Sequence, residues 1–282
     1  MPLIGWTKES KDYKTPCKCE PDFRHPYKNG NEVDCFKLDH FARICPDPPF
    51  DRGMAEALFK TSTDHMRYGS LDPIVSATML TACPLHLWFE RNHDFVLDPL
   101  KNRWMLKGTV AHEAVARLSR SPRFIIEQPL RWPINSGLYL YGTPDRYDVI
   151  DQTLHDLKTQ KWWAIDKKKK MTKPKILADK FVKYNVFQMN CYKVMWEACM
   201  LMPVEAAYLH YWNGDLEEVK VEAPLVDTAT MAPIMQEKGV YMYFALNEKE
   251  PSKIEPKDYG AGWNPREDSA LWWMIKEEMQ SR

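Results

Sequence analysis

Between residues 76 and 90 the apolar positions follow a mostly helical spacing, and a second helical run covers 104–120, where Val110, Ala114 and Leu118 fall four apart. The period then changes to two. Segments 124–132, 138–149 and 153–159 read as three successive strands, joined by Pro133-Ile-Asn-Ser-Gly137 and by a tight turn at Ile150-Asp151. A long helix is predicted over 174–202, with Leu177, Phe181, Tyr184, Gln188, Tyr192, Met195 and Cys199 along one face and Pro203 ending it. Strands at 204–212 and 216–222 form a hairpin closed by Asn213-Gly214, a pair suited to a type I′ turn. Two amphipathic stretches, 228–246 and 268–279, predict helices packed on the outside. This order gives an α/β fold around one central mixed sheet flanked by helices. Residues 1–72, rich in Pro, Cys and turn formers, have no sustained period and read as an irregular N-terminal accessory region ahead of a domain over 73–282.

Composition narrows the function classes. With 282 residues, 44% apolar and 28% charged, the chain can build one large core plus an extension, which excludes disordered and fibrous architectures. The longest uncharged stretch, 73–89, carries Ser, Thr, His and Pro84, so no transmembrane segment and no membrane partner are expected. No basic segment followed by an apolar run opens the chain, which predicts a cytoplasmic location. Seven cysteines at irregular spacings favour free thiols or metal ligands over a disulfide framework. Net charge is zero, but residues 158–193 hold eleven Lys against Asp166 and Asp179, a patch that attracts phosphates.

The candidate chemistry lies on the second and third predicted strands. A turn at 150 and 151 makes paired positions sum to 301, so that Tyr147 faces Leu154 and Asp145 lies opposite Asp156. Period-two alternation then places Asp145, Asp156 and Lys158 on one face. Opposed carboxylates are unfavourable there, and two readings relieve them: Lys158 as a structural ion-pair partner, or a bridging divalent cation. Three more polar residues interrupt apolar patterns. Gln188 sits on the long helix's apolar face, one turn before Tyr192; Glu127 follows Phe124-Ile125-Ile126; and His112 falls on the second helix, four residues after Gly108.

Taken in order, Gly108-Thr-Val-Ala-His112, Glu127-Gln-Pro-Leu, Gly142-Thr-Pro-Asp145, Asp156-Leu-Lys158-Thr159 and Gln188-x-x-x-Tyr192 resemble the motifs of the PD-(D/E)XK nucleases. The closest subgroup is the RecB-like one, with CRISPR-associated iron-sulfur nucleases and phage exonucleases. The resemblance spans residues 76–212 and implies a restriction-endonuclease-like core, with 213–282 adding the hairpin and outer helices. It implies Asp145 and Asp156 as acidic metal ligands, His112 and the Leu157 backbone carbonyl as further ligands, and Glu127 as the weakest match. It also implies Lys158 as the residue that handles the attacking water and offsets transition-state charge, with Gln188 and Tyr192 contacting substrate. Such oxygen donors with one imidazole suit one or two Mg²⁺ or Mn²⁺ ions.

The chain departs from the subgroup at its cysteines. Cys83 stands where the first iron-sulfur ligand would, but no cysteine follows Cys199, so no iron-sulfur cluster is expected. Cys17, Cys19, Cys35 and Cys45, with His25 and His40 nearby, are a possible zinc set, though their spacings match no recognised finger and free thiols are the favoured reading. The run Lys167, Lys168, Lys169 and Lys170, after Trp162, reads either as a solvated loop or as a loop that tracks phosphates with an aromatic beside it. The function expected is divalent-metal-dependent hydrolysis of DNA, as an exonuclease on single strands or duplex ends in phage or bacterial recombination or repair. A helicase, recombinase or single-strand-binding protein is a possible partner. The alternatives are a catalytically silent DNA-binding accessory on the same scaffold and a structure-specific endonuclease or RNase.

Overall fold

The computed structural model describes residues 3–7, 18–27, 31–37, 40–46, 74–93, 95–97, 108, 110–114, 121–159, 162–212, 218–254 and 272–281. In chain order these form β1 (Leu3–Thr7), β2 (Phe23–Tyr27), β3 (Asn31–Lys37), a π-helical turn at His40–Ile44, β4 (Ile74–Ser76), a 3-10 turn at Met79–Thr81, α1 (Pro84–Asn92) and β5 (Phe95–Leu97). Helical residues 110–114, here α2, are followed by β6 (Phe124–Ile126), β7 (Leu130–Asn135), β8 (Leu138–Gly142), β9 (Arg146–Asp148) and β10 (Thr153–Thr159). Then come α3 (Trp162–Lys169), α4 (Lys173–Ala178), α5 (Lys180–Met200), β11 (Ala206–Trp212), β12 (Glu218–Ala223), α6 (Thr228–Asn247) and α7 (Trp272–Ser281).

The α/β class and the helix-flanked mixed sheet are present, but the single expected sheet is two. One has the order β12-β11-β10-β9-β6, with β10 and β11 parallel and the other neighbours antiparallel. The other is β4-β8-β7, with β4 parallel to β8. The division follows from two interruptions. Pro144 has no N–H to give to a ladder, so the expected strand 138–149 breaks into β8 and β9. Glu127 takes a left-handed φ of 46°, which breaks 124–132 into β6 and β7. The two breaks lie side by side: the Glu127 N–H donates to the Asp145 carbonyl at 3.0 Å.

Three further expectations change. The N-terminal lead is not irregular throughout, because β1, β2 and β3 join β5 in a sheet of order β2-β3-β1-β5. Pro26 masked this in the sequence; it sits in the edge strand β2, where a missing donor is tolerated. The predicted helix 174–202 is split at Asp179, whose carboxylate accepts the Phe181 and Val182 N–H groups and caps α5. The last hairpin pairs Trp212 with Glu218, whereas a two-residue turn at Asn213-Gly214 would pair Trp212 with Asp215; residues 213–217 lie outside the described residues.

Helix α5 runs through the core. Met189, Cys191, Val194, Met195 and Trp196 are buried together with Leu140, Tyr147 and Leu154 from the sheets and with Met235 and Met242 from α6. The Trp196 and Tyr147 rings stack at 4.5 Å, and the Tyr147 hydroxyl donates to the Pro203 carbonyl at 2.6 Å. Two members of the predicted apolar face, Phe181 and Cys199, are exposed instead. The helix is longer than the strand that carries Asp156 and Lys158: its 21 residues span about 31 Å, the seven of β10 about 23 Å. Among the described residues no helix is long and apolar enough to cross a membrane.

Candidate active site

The β9–β10 hairpin has the register that the sequence predicts, with Arg146 opposite His155, Tyr147 opposite Leu154 and Asp148 opposite Thr153. Its turn is clamped by Asp148. One carboxylate oxygen accepts the Ile150 and Asp151 N–H groups at 3.0 and 3.2 Å, and the other accepts from Arg123 Nε at 2.7 Å. Backbone pairing stops at Arg146, so Asp145 lies just past the ladder, where its side chain replaces the missing partner: Oδ2 accepts the Leu157 N–H at 2.5 Å. In an extended strand a residue's C=O lies on the same side as its N–H, so the Leu157 carbonyl faces the Asp145 side.

Four ionisable side chains meet there. His112 Nδ1 lies 3.0 Å from Asp145 Oδ1, and Lys158 Nζ lies 2.7 Å from Asp156 Oδ2. The Asp156 side chain is only 3% exposed. Its Oδ2 makes no well-angled hydrogen bond among the described residues, so the neighbouring ammonium is its main compensation. Burial drives the Asp156 carboxyl above the ordinary carboxylate range, and Lys158 opposes this. His112 moves upward because Asp145 accepts its hydrogen bond, against the opposite pull of burial. Both groups also feel the other members of the set: Asp156 responds to Asp145 and His112, and His112 to Asp156 and Lys158.

Gln188 explains its place on the buried face of α5. Its Oε1 accepts from Lys158 Nζ at 2.8 Å, while Nε2 donates to Thr78 Oγ1 at 2.8 Å and to the Tyr192 hydroxyl at 2.9 Å. The amide therefore gives the lysine a second anchor beside Asp156. Burial suppresses the acidity of the Tyr192 phenol, and nearby Asp156 and Asp145 add to the effect. Thr78 is absent from the sequence prediction; it is one of three hydroxyl residues in 74–81, with Ser76 and Thr81, and nothing in the pattern singles it out. Two motif glycines mark close approaches. A Cβ on Gly142 would sit 2.7 Å from the Tyr192 ring, and one on Gly108 would sit 3.2 Å from Thr159 Oγ1.

The remaining candidates are placed less centrally. Glu127 adjoins Asp145 through its backbone, with its own side chain exposed. The lysine run is not a loop: Lys167, Lys168 and Lys169 form the last turn of α3, with Lys170 just after it. Lys168 turns inward, 4.9 Å from the centre of the Tyr211 ring, and burial lowers its pKa. Lys170 pairs with Asp166 at 2.7 Å, whereas Lys167 and Lys169 project outward. The side chain of Trp162 and all of Cys17 lie outside the described residues.

The donor set fits a hard divalent cation. Asp145 and Asp156 supply carboxylate oxygens, Leu157 a carbonyl and His112 an imidazole, and a buried, under-compensated carboxylate such as Asp156 gains most from a positive ion.

No family model matches the chain, and no curated protein matches it. Among solved structures it is similar to the crystal structure of SSO0001, at 16% identity and a TM-score of 0.45, over 65% of this chain and 83% of that one. It is also similar to an alkaline exonuclease, LHK-Exo, from Laribacter hongkongensis, at 16% identity and a TM-score of 0.38, over 65% of this chain and 90% of that one.

Proposed function

We propose that this protein is a divalent-metal-dependent nuclease of the PD-(D/E)XK type that hydrolyses DNA phosphodiester bonds, acting as an exonuclease in recombination or repair. The observation that supports it most is the meeting of Asp145, Asp156, His112 and Lys158 at the end of the β9–β10 hairpin, with Gln188 bracing the lysine. In this reading Asp145, Asp156, His112 and the Leu157 carbonyl hold Mg²⁺ or Mn²⁺. The ion, when bound, supplies Lewis-acid polarisation of the phosphate and lowers the pKa of water.

The protein's own groups do the rest. Lys158, paired with Asp156 at 2.7 Å, would present its ammonium to the attacking water or to the charge that builds on the phosphoryl oxygens. Gln188 keeps Nζ from swinging away, and the buried Tyr192 hydroxyl accepts from that amide and supports it instead of contacting substrate as the motif implies. Lys167 and Lys169 on α3 supply non-specific attraction for the sugar-phosphate backbone, and Trp162, the first residue of the same helix, is the aromatic candidate for stacking on a base.

The test uses purified protein with Mg²⁺ or Mn²⁺ on end-labelled linear, circular and single-stranded DNA and on RNA. Linear DNA should be degraded, and Asp145→Asn, Asp156→Asn and Lys158→Met should each lower the rate by about 10²–10³-fold with unchanged circular dichroism. A wild-type protein that binds DNA but cleaves none of these substrates would instead assign the scaffold to a silent binding role.

A further inference from the structure

Away from this centre, the N-terminal sheet gathers a second donor set. One ligand atom each from Cys19, His40 and Cys45 lie within 4.8 Å of one another. They converge because Cys19 precedes β2 while His40 opens the π-helical turn, whose closing hydrogen bond, Cys45 N–H to the His40 carbonyl at 2.7 Å, brings the other two together. The Cys19 and Cys45 sulfurs are 3.7 Å apart. That is far longer than a disulfide, about 2.05 Å. It matches two thiolates on one tetrahedral zinc, where Zn–S bonds of about 2.3 Å place the sulfurs about 3.8 Å apart.

The surroundings are those of a built site. His40 and Cys45 are almost fully buried, and Cys19 is partly so. The His40 ring stacks on Phe36 at 3.8 Å, which fixes its plane. Asp22 Oδ2 lies 3.5 Å from His40 Nδ1 and is held by the Lys37 N–H at 2.8 Å. Cys35 is close in sequence but differently engaged: its Sγ donates to the Val33 carbonyl at 3.3 Å, and burial pushes its thiol up to about 11.

We infer that Cys19, His40 and Cys45 bind a structural zinc ion that fastens the π-helical turn after β3 to the segment leading into β2. Two thiols give up their protons and the imidazole binds as the neutral base, so the ion's two charges are balanced by two thiolates. The fourth tetrahedral position is filled by water or by a further ligand. A zinc here would stabilise a small sheet with little core of its own, and it acts independently of the hydrolytic reading.

The experiment takes the full-length chain, purified without chelator, and measures bound zinc by mass spectrometry. One zinc per chain is expected, falling to near zero in the Cys19→Ser/Cys45→Ser double variant and retained in Cys199→Ser. The wild-type protein, stripped and reloaded with cobalt(II), should show thiolate-to-cobalt charge-transfer absorption and intense tetrahedral d–d bands, which the Asp and His donors of the hydrolytic centre cannot produce. The cobalt spectrum decides even where the double variant fails to fold. Wild-type protein without zinc and without the charge-transfer band would overturn the inference, as would full zinc retention in a folded double variant.

Discussion

Gln188 joins the two halves of the candidate centre, because one amide serves Lys158, Thr78 and Tyr192 at once. Gln188→Ala would leave Lys158, Thr78 and the buried Tyr192 hydroxyl without that partner. A destabilisation of about 1–3 kcal/mol is expected from the urea midpoint, together with slower DNA hydrolysis. An unchanged midpoint would mean that the network relaxes without cost. At this scale the sequence was informative. A glutamine on an apolar helical face signals a buried hydrogen-bond requirement, and His112, Asp145, Asp156 and Lys158 could be named from motif order alone. Thr78 could not, since nothing in the pattern sets it apart from Ser76 and Thr81. The inward turn of Lys168 was equally hidden, because a run of four lysines does not reveal which of them meets Tyr211.

At the scale of elements, the hairpin register was legible because side-chain alternation on both strands and a short turn leave one pairing that keeps Tyr147 and Leu154 inside. What broke the strands was less legible. The division between β8 and β9 depends on Pro144, and that between β6 and β7 on the left-handed Glu127, a conformation that nothing in its residue type demands. The same holds for the edge strand that carries Pro26 and for the wider closure between Trp212 and Glu218.

The turn that holds the hairpin makes a pH prediction. Hydrogen bonding from Arg123 lowers the Asp148 pKa from 3.8 to about 2. A carboxylate depressed on folding contributes stability above its unfolded pKa and loses it as pH falls through the folded value. Asp148→Asn should therefore be less stable than wild type by a constant margin above about pH 5, and the margin should close as pH falls toward 2. Thermal unfolding of both proteins across that range measures it. A margin that does not change with pH would remove the charge from the account.

Across the whole molecule, a long buried helix, α5, carries Gln188 and Tyr192 to the face of β10 that bears Asp156 and Lys158, while α2 brings His112 to Asp145. The core thus positions six polar groups, from α5, β10, α2 and the segment just before β9, around one small region, where ion pairs and hydrogen bonds tie them together. The most direct measurement is the anomalous difference density of a crystal grown with Mn²⁺. A peak bounded by the Asp145 and Asp156 carboxylates and the Leu157 carbonyl, lost in Asp145→Asn, is the predicted result. An intact Lys158–Asp156 pair with no peak there, in protein that hydrolyses DNA under the same Mn²⁺ concentration, would contradict it.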